Sequence, residues 1–205
     1  MPRHILQNVT WRQVRLWYNG GMREQNFANV CKRLANPERW AVLRQVVVSA
    51  DGFGSTVSDI SGNTHLGVSA TSQYLAQLES ECGLARARRE GRYVNYLFEV
   101  NRDFPWAGEL GAALRKHFRG GDGREVAILP ALANTARLQV VAALRRAGRA
   151  TKLDLQKASK MSEINVRRHL AVIVGSGLAS EDGETFVFEE PNDALGGLFL
   201  ELALG

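Results

Sequence analysis

The stretch LGVSATSQYLAQLESECGLARARREGRYVNYLF, residues 66–98, decides the fold of this chain. A stripe of apolar and small residues runs along its first half at three- and four-residue steps: Thr71, Leu75, Leu78 and Cys82. This spacing predicts an amphipathic helix. After Gly83, a plausible helix cap by sequence, arginine alternates with alanine as in a strand, and Glu90 with Gly91 predicts a tight turn. The stretch therefore predicts a helix followed by a basic β-hairpin.

Polar side chains lie opposite this apolar stripe, and arginines crowd the hairpin. The candidate contact residues of the helix are Ser69, Ser72, Gln73 and Tyr74, and those of the hairpin are Arg86, Arg88, Arg89 and Arg92. Four like charges within seven positions repel one another unless phosphates or acids neutralise them. The pattern favours contact with an acidic partner, while an ordinary solvated helix face remains the alternative interpretation.

The same plan returns about a hundred residues later. The segment LANPER at 34–39 is echoed by LANTAR at 132–137, and SATSQYL at 69–75 is echoed by INVRRHL at 164–170. Because both copies keep the same order of segments, we expect a tandem duplication. The predicted organisation is an N-terminal helical extension with domain 1 over residues 1–119, a linker at 120–125 and domain 2 over 126–205.

The second copy differs from the first at its candidate contact residues: Asn165, Arg167, Arg168 and His169. Adjacent arginines on such a helix can reach phosphates or guanine edges. Its hairpin is acidic, with Glu181, Asp182 and Glu184. Whether this half reads bases or contacts a protein therefore stays open.

Helical spacing and turn residues give the remaining elements. We expect helices near 11–18, 22–35, 37–48, 56–61, 103–118, 126–133, 135–146, 151–159, 162–174 and from 193 onward, with strands at 178–181 and 184–189. Two helices carry apolar stripes that a small domain cannot cover alone: Trp106, Leu110 and Leu114, and Leu195, Leu198, Phe199 and Leu202. These stripes are predicted to meet each other as an intrachain pseudo-dimer, or to meet the same helices of a second chain.

Composition excludes several classes of protein. No apolar run approaches the roughly 20 residues of a membrane span, and the first residues lack a secretion signal, so a cytoplasmic protein is expected. Cys31 and Cys82 each lie on a predicted apolar stripe, which favours core packing over a disulfide or a metal site. The net charge of +5 suits an acidic partner but does not define one.

A helix, a turn, a second helix and a two-stranded wing form a winged helix-turn-helix, and both copies resemble ArsR-type transcriptional repressors. The segment at 34–39 is similar to the family's LADPTR, and MSEINVRRHL at 161–170 is similar to its LSQSTVSRHL. The resemblance implies a mainly α fold with small β-hairpins, in two tandem winged helix-turn-helix domains. It also implies a repressor that binds double-stranded DNA through the candidate contact residues.

This sequence departs from that family in two respects. Members often sense metals through paired cysteines before the recognition helix, but residues 56–61 and 151–157 contain none, and the four histidines are isolated. We therefore expect no metal and no cofactor. The family supplies two winged domains by dimerisation, whereas one chain carries both here, so a monomeric pseudo-dimer and a homodimer both remain open.

DNA binding has two alternatives of a different class. Paired winged helices also serve as protein-interaction adaptors, and the acidic second hairpin favours that alternative. An enzyme is not expected, because the glycine-rich segments at 51–54 and 120–123 are not followed by the Lys-Ser/Thr of a phosphate-binding loop. No Ser/His/Asp or His/Glu constellation is evident either.

Overall fold

The computed structural model describes residues 27–49, 54–120 and 123–205. The predicted helix at 11–18, most of the glycine-rich segment at 51–54 and positions 121 and 122 of the predicted linker lie outside these ranges. Within them the chain is mainly helical with two small antiparallel sheets, which confirms the predicted class at that level. No helix in the described ranges is long and apolar enough to cross a membrane.

The same order of elements occurs twice. The first half contains α1 (Phe27–Leu34), α2 (Pro37–Val48), β1 (Ser55–Thr56), α3 (Val57–Thr64), α4 (Val68–Ser80), β2 (Arg86–Glu90), β3 (Tyr93–Leu97) and α5 (Ala107–Gly120). The second half contains α6 (Leu129–Leu132), α7 (Thr135–Ala147), β4 (Arg149–Thr151), α8 (Lys152–Ser159), α9 (Glu163–Gly175), β5 (Ala179–Asp182), β6 (Thr185–Phe188) and α10 (Ala194–Leu204). Each half thus has, in order, two helices, a short strand, two helices, a two-stranded hairpin and a last helix.

Matching side chains start the long helix of each half. Asn36 accepts a hydrogen bond from the backbone N–H of Arg39 at 2.8 Å, and Asn134 accepts one from Arg137 at 2.9 Å. An asparagine N-cap satisfies a backbone donor that the first helical turn leaves unpaired. The repeated Leu-Ala-Asn motif therefore fixes where α2 and α7 begin.

The helix that follows also starts in the same way in both halves. Thr56 and Asp59 form a capping box at α3, and Thr151 and Asp154 form one at α8. In each box the threonine hydroxyl donates to the carboxylate at 2.6 Å, and this contact lowers the pKa of both aspartates. These boxes fix the entry to each helix-turn-helix.

Each sheet has three strands, in the orders β1-β3-β2 and β4-β6-β5. The sequence revealed the two hairpins but not β1 and β4, because strands of two or three residues are too short to show alternation. Both hairpin turns lie one residue beyond the predicted positions. Glu90 pairs with Tyr93 and Asp182 pairs with Thr185, so the loops are 91–92 and 183–184, each with its glycine at φ +61°.

One predicted helix is shorter than expected. The apolar run at 126–133 yields only α6, of four residues, because Pro130 is favoured at the start of a helix and the preceding residues form a turn. In that turn the Leu129 N–H donates to the Val126 carbonyl at 3.1 Å. Val126 and Ile128 are still buried, so these residues pack in the hydrophobic core although they precede the helix.

The two halves share one hydrophobic core. α10 packs against α5 and α1 of the first half as well as α6 and α7 of the second, and α1 packs on α6. The ring of Phe199 lies 6.0 Å from that of Phe27, which in turn meets Trp106 edge to face at 5.5 Å. The stripe on α5 therefore meets the terminal helix, as the sequence predicted.

The buried face of α10 differs from the predicted stripe. Leu198 and Leu202 are only partly buried, whereas Leu200 is fully buried beside Phe199. Gly196 lies at the start of this face, where a Cβ would approach a carboxylate oxygen of the N-cap residue Asp193 to 2.8 Å and Pro191 Cβ to 3.1 Å. The absence of a side chain therefore leaves room for the cap, in which the Gly196 N–H donates to the Asp193 carboxylate at 2.7 Å.

Replacing Phe199 by alanine tests the shared core. Large-to-small substitutions of buried aromatic residues cost about 3–5 kcal/mol, so Phe199→Ala should lower the free energy of unfolding by that amount. Leu198→Ala, one residue away and partly exposed, is the matched control and should cost clearly less. Urea denaturation measures both, and equal losses in the two variants would contradict the observed orientation of α10.

Candidate nucleic-acid interface

In the first half, α3 and α4 form a helix-turn-helix whose second helix presents a polar face. Thr71, Leu75 and Leu78 of α4 are fully buried, which confirms the predicted stripe. The turn residue His65 has φ +57°, a left-handed conformation that redirects the chain, and Lys160 repeats it at +56° in the second half. The arrangement leaves Ser69, Ser72 and Gln73 exposed on one side of α4.

The end of α4 is held by backbone hydrogen bonds and close packing. The Leu84 N–H donates to the Leu78 carbonyl at 3.0 Å, around Gly83 at φ +67°. A Cβ at Gly83 would lie 2.6 Å from the ring of Phe104, so only glycine fits. The indole N–H of Trp106 donates to the Cys82 carbonyl at 3.2 Å, which fixes the helix end on the core.

Glu79 connects α4 to the hairpin. Its Oε1 accepts a hydrogen bond from the backbone N–H of Ala87 at 3.0 Å, on the edge of β2 that no other strand covers. Sequence reasoning missed this residue, because a glutamate on an amphipathic helix carries no pattern that distinguishes it from a solvated charge. The contact orients the hairpin relative to the polar face of α4.

Tyr74 does not lie free on that face. Its hydroxyl donates to a carboxylate oxygen of Glu38, and the guanidinium carbon of Arg39 lies 4.9 Å from its ring centroid. The hydrogen bond to Glu38 is the main cause of the raised pKa of Tyr74. In this structure the side chain attaches α4 to the start of α2, and its role in DNA contact stays a prediction.

The hairpin arginines fall into two groups. Arg86 pairs with Glu99 at 2.5 Å, and Arg88 approaches Glu90 at 3.4 Å, so acids within the chain already neutralise these two. Arg89 and Arg92 have no carboxylate partner among the described residues. The alternation of arginine with alanine also predicts one arginine face, but this is wrong, because the register of β2 places Arg89 on the face opposite Arg88.

Arg92 occupies the tip of this hairpin. Its guanidinium carbon lies 5.0 Å from the centroid of the Tyr93 ring, whose side chain is 53% exposed. An arginine over an aromatic face keeps its donors free while its plane is supported. The tip therefore presents a supported cation to solvent.

In the second half, α9 exposes Asn165, Arg167 and Arg168, as predicted. His169 is partly buried instead, and burial followed by repulsion from Arg137 lowers its pKa. In α9, His169 occupies the position equivalent to that of Tyr74 in α4. Of the predicted contact residues on α9, the structure therefore brings three together on the open face and places the fourth towards α7.

Arg39 and Arg137 are the equivalent residues that the sequence did not single out. Arg39 donates to the Arg33 carbonyl at 2.5 Å and Arg137 donates to the Pro130 carbonyl, while the buried Nε of each has no hydrogen-bond partner among the residues that the structure describes. Burial lowers the pKa of both guanidinium groups. The sequence could have identified this pair by their common position, three residues after the capping asparagine of each half.

The cysteines are core residues, as their spacing predicted. Cys31 and Cys82 are both fully buried, and burial raises the pKa of Cys82 to about 12 and that of Cys31 further. Thiols in this state are poor metal ligands and nucleophiles. No group of three or more His, Cys, Asp or Glu side chains suited to a metal occurs in the described ranges.

The chain matches no protein-family model, no curated protein and no solved structure.

The attachment of Tyr74 to α2 gives a test by single substitution. Tyr74→Phe removes the hydroxyl that donates to Glu38, and the loss of such a hydrogen bond should lower the free energy of unfolding by about 0.5–1.5 kcal/mol. The neighbouring variant Ser72→Ala removes an exposed hydroxyl and should change it by less than about 0.5 kcal/mol. Chemical denaturation compares the two, and a neutral Tyr74→Phe would show that the contact does not stabilise α4.

Proposed function

We propose that this protein is a transcriptional regulator, of repressor type, that binds double-stranded DNA. The observation that carries the proposal is the open face of the first half. The polar side of α4 carries Ser69, Ser72 and Gln73 beside a hairpin that presents Arg89 and Arg92 without acidic partners in the described chain. A helix of this kind enters the major groove, while a basic wing contacts the phosphates.

The dimensions and chemistry of this face suit DNA. The major groove admits an α-helix, and short polar side chains let the helix backbone approach base edges closely. The start of α4 has no side-chain cap, because Gly67 occupies the N-cap position, so its first N–H groups remain available to a phosphate. Arg89 and Arg92 of the wing add charge that counterion release would favour.

We infer that the two halves arose by tandem duplication and act as an intrachain pseudo-dimer. Support comes from the paired asparagine caps, the paired capping boxes, the two left-handed turn residues and the two sheets of identical strand order. The shared core around Phe27 and Phe199 holds the two helix-turn-helix units in one body. One chain would then supply both recognition helices without a homodimer.

The proposed role of the second half is base reading through α9. Arg167 and Arg168 are exposed and adjacent, and bidentate arginine contacts to guanine are the commonest specific contact in the major groove. The acidic hairpin beside them would repel phosphates. A protein-interaction adaptor is therefore the second candidate function, and this hairpin is the observation that favours it.

Fluorescence polarisation of a labelled random-sequence duplex at low salt tests the proposed function. Non-specific binding by a winged helix is mainly electrostatic, so a dissociation constant that rises steeply with salt is expected. A complete absence of binding at low salt would overturn DNA binding and leave the adaptor. The proposed regulator acts in the cytoplasm and uses no metal or cofactor.

The unpaired hairpin arginines should dominate the salt dependence. Each cation that contacts a phosphate contributes about 0.9 to the slope of log K against log salt, so Arg89→Ala with Arg92→Ala should flatten the slope by about 2 units. Arg86→Ala with Arg88→Ala should flatten it less, because these side chains would first leave Glu99 and Glu90.

The control for this experiment removes two cations elsewhere. Lys116→Ala with Arg119→Ala takes the same charge from exposed positions of α5 and should leave the slope close to that of the parent protein. A slope that responds equally to all three double variants would show that the hairpin has no special part in binding.

Arg167→Ala and Arg168→Ala test base reading by α9. If these residues contact guanine, each variant should weaken discrimination at one or two base pairs by about 1–3 kcal/mol and leave other positions unchanged. Competition between single-base variants of a bound site measures this. A uniform loss of affinity across all sequences would assign the two arginines to phosphates instead.

A further inference from the structure

The two hairpins carry opposite charges at equivalent positions. Residues 86–92 of the first hairpin contain four arginines and one glutamate, a balance of +3, whereas the equivalent residues 178–184 of the second contain three acids and no base, a balance of −3. We call the β2–β3 hairpin the basic hairpin and the β5–β6 hairpin the acidic hairpin.

Their tips can be compared residue by residue, because both loops have two residues and begin with a glycine at φ +61°. Arg89 corresponds to Glu181, and Arg92 corresponds to Glu184. These four residues are exposed, and none forms an ion pair within the parts of the chain that the structure describes. The acids between them, Glu90 and Asp182, differ from these four residues because each has a basic partner in its own chain. Glu90 approaches Arg88, and Asp182 pairs with Arg149 at 2.5 Å.

The edges of the two sheets are also complementary. β2 and β5 are each one of the two edge strands of their sheet. Charged side chains on edge strands normally prevent identical edges from pairing, because like charges would face each other. Here the charges oppose contact between two basic hairpins or two acidic hairpins, but they favour contact between one of each.

We propose that the acidic hairpin of one copy of this chain binds the basic hairpin of a second copy. Glu181 and Glu184 would neutralise Arg89 and Arg92 across the contact. Since each chain has one hairpin of each sign, the contact is head to tail and leaves one free hairpin at either end of a dimer. Small, charged contacts of this kind are transient, so association should be weak and reversible.

Light scattering on the full chain without DNA tests this proposal independently of the proposed function. The average mass should rise with protein concentration at 0.1 M salt and return to that of the monomer at 1 M, where the Debye length falls from about 10 Å to about 3 Å. A mass that stays monomeric over the concentration series at 0.1 M salt would overturn the proposal.

Two charge-reversal variants identify the surfaces. Arg89→Glu with Arg92→Glu leaves two acidic hairpins, and Glu181→Lys with Glu184→Lys leaves two basic ones. Each variant alone should lose association by at least about tenfold, because like charges then face each other. An equimolar mixture should recover it, since opposite hairpins are again present.

The mixture also separates a lost contact from a damaged fold. Recovery requires both variants to be folded, and circular dichroism checks each one beforehand. Lys116→Glu with Arg119→Glu changes the net charge as much as the first variant does and should associate like the parent protein. Association that survives either hairpin variant, or a mixture of two folded variants that fails to associate, would overturn the proposal.

Discussion

The packing of α10 between the two halves is the contact on which the rest of the structure depends. Phe199 lies against Phe27 in a core that also takes in Trp106 and the short helix α6. A winged unit of under a hundred residues buries limited apolar surface by itself. The shared core removes this limit, and it fixes two helix-turn-helix units in one body that a single chain can present to a partner.

Within this frame the sequence specified most of the fold through local signals. The sequence predicted the asparagine caps, the apolar stripe of α4 and the hairpin glycines, because each depends on residues close together in the chain. It did not predict β1 and β4, since strands of two or three residues form only through their tertiary partners. It also did not predict that α6 has only four residues. The orientation of α10 was also missed, because almost all residues of this helix are apolar and its own spacing does not select one buried face.

The candidate site was less predictable than the fold. Sequence alone placed Ser69, Ser72, Gln73, Arg167 and Arg168 on open helix faces, but it could not show that Tyr74 is held by Glu38 or that His169 faces α7. Nor could it separate Arg86, which Glu99 neutralises, from Arg92, which no described acid contacts. Ion pairs between strands depend on register, and register appears only once the hairpin is formed.

Because the two halves are unequal, we propose that one chain reads DNA with two different recognition helices. Selecting bound duplexes from a random pool, with the stoichiometry of the selected complex measured by light scattering, is the decisive test. We expect one enriched motif without two-fold symmetry, bound by a single chain. A palindromic motif occupied by two chains, or a pool that shows no enrichment, would contradict it.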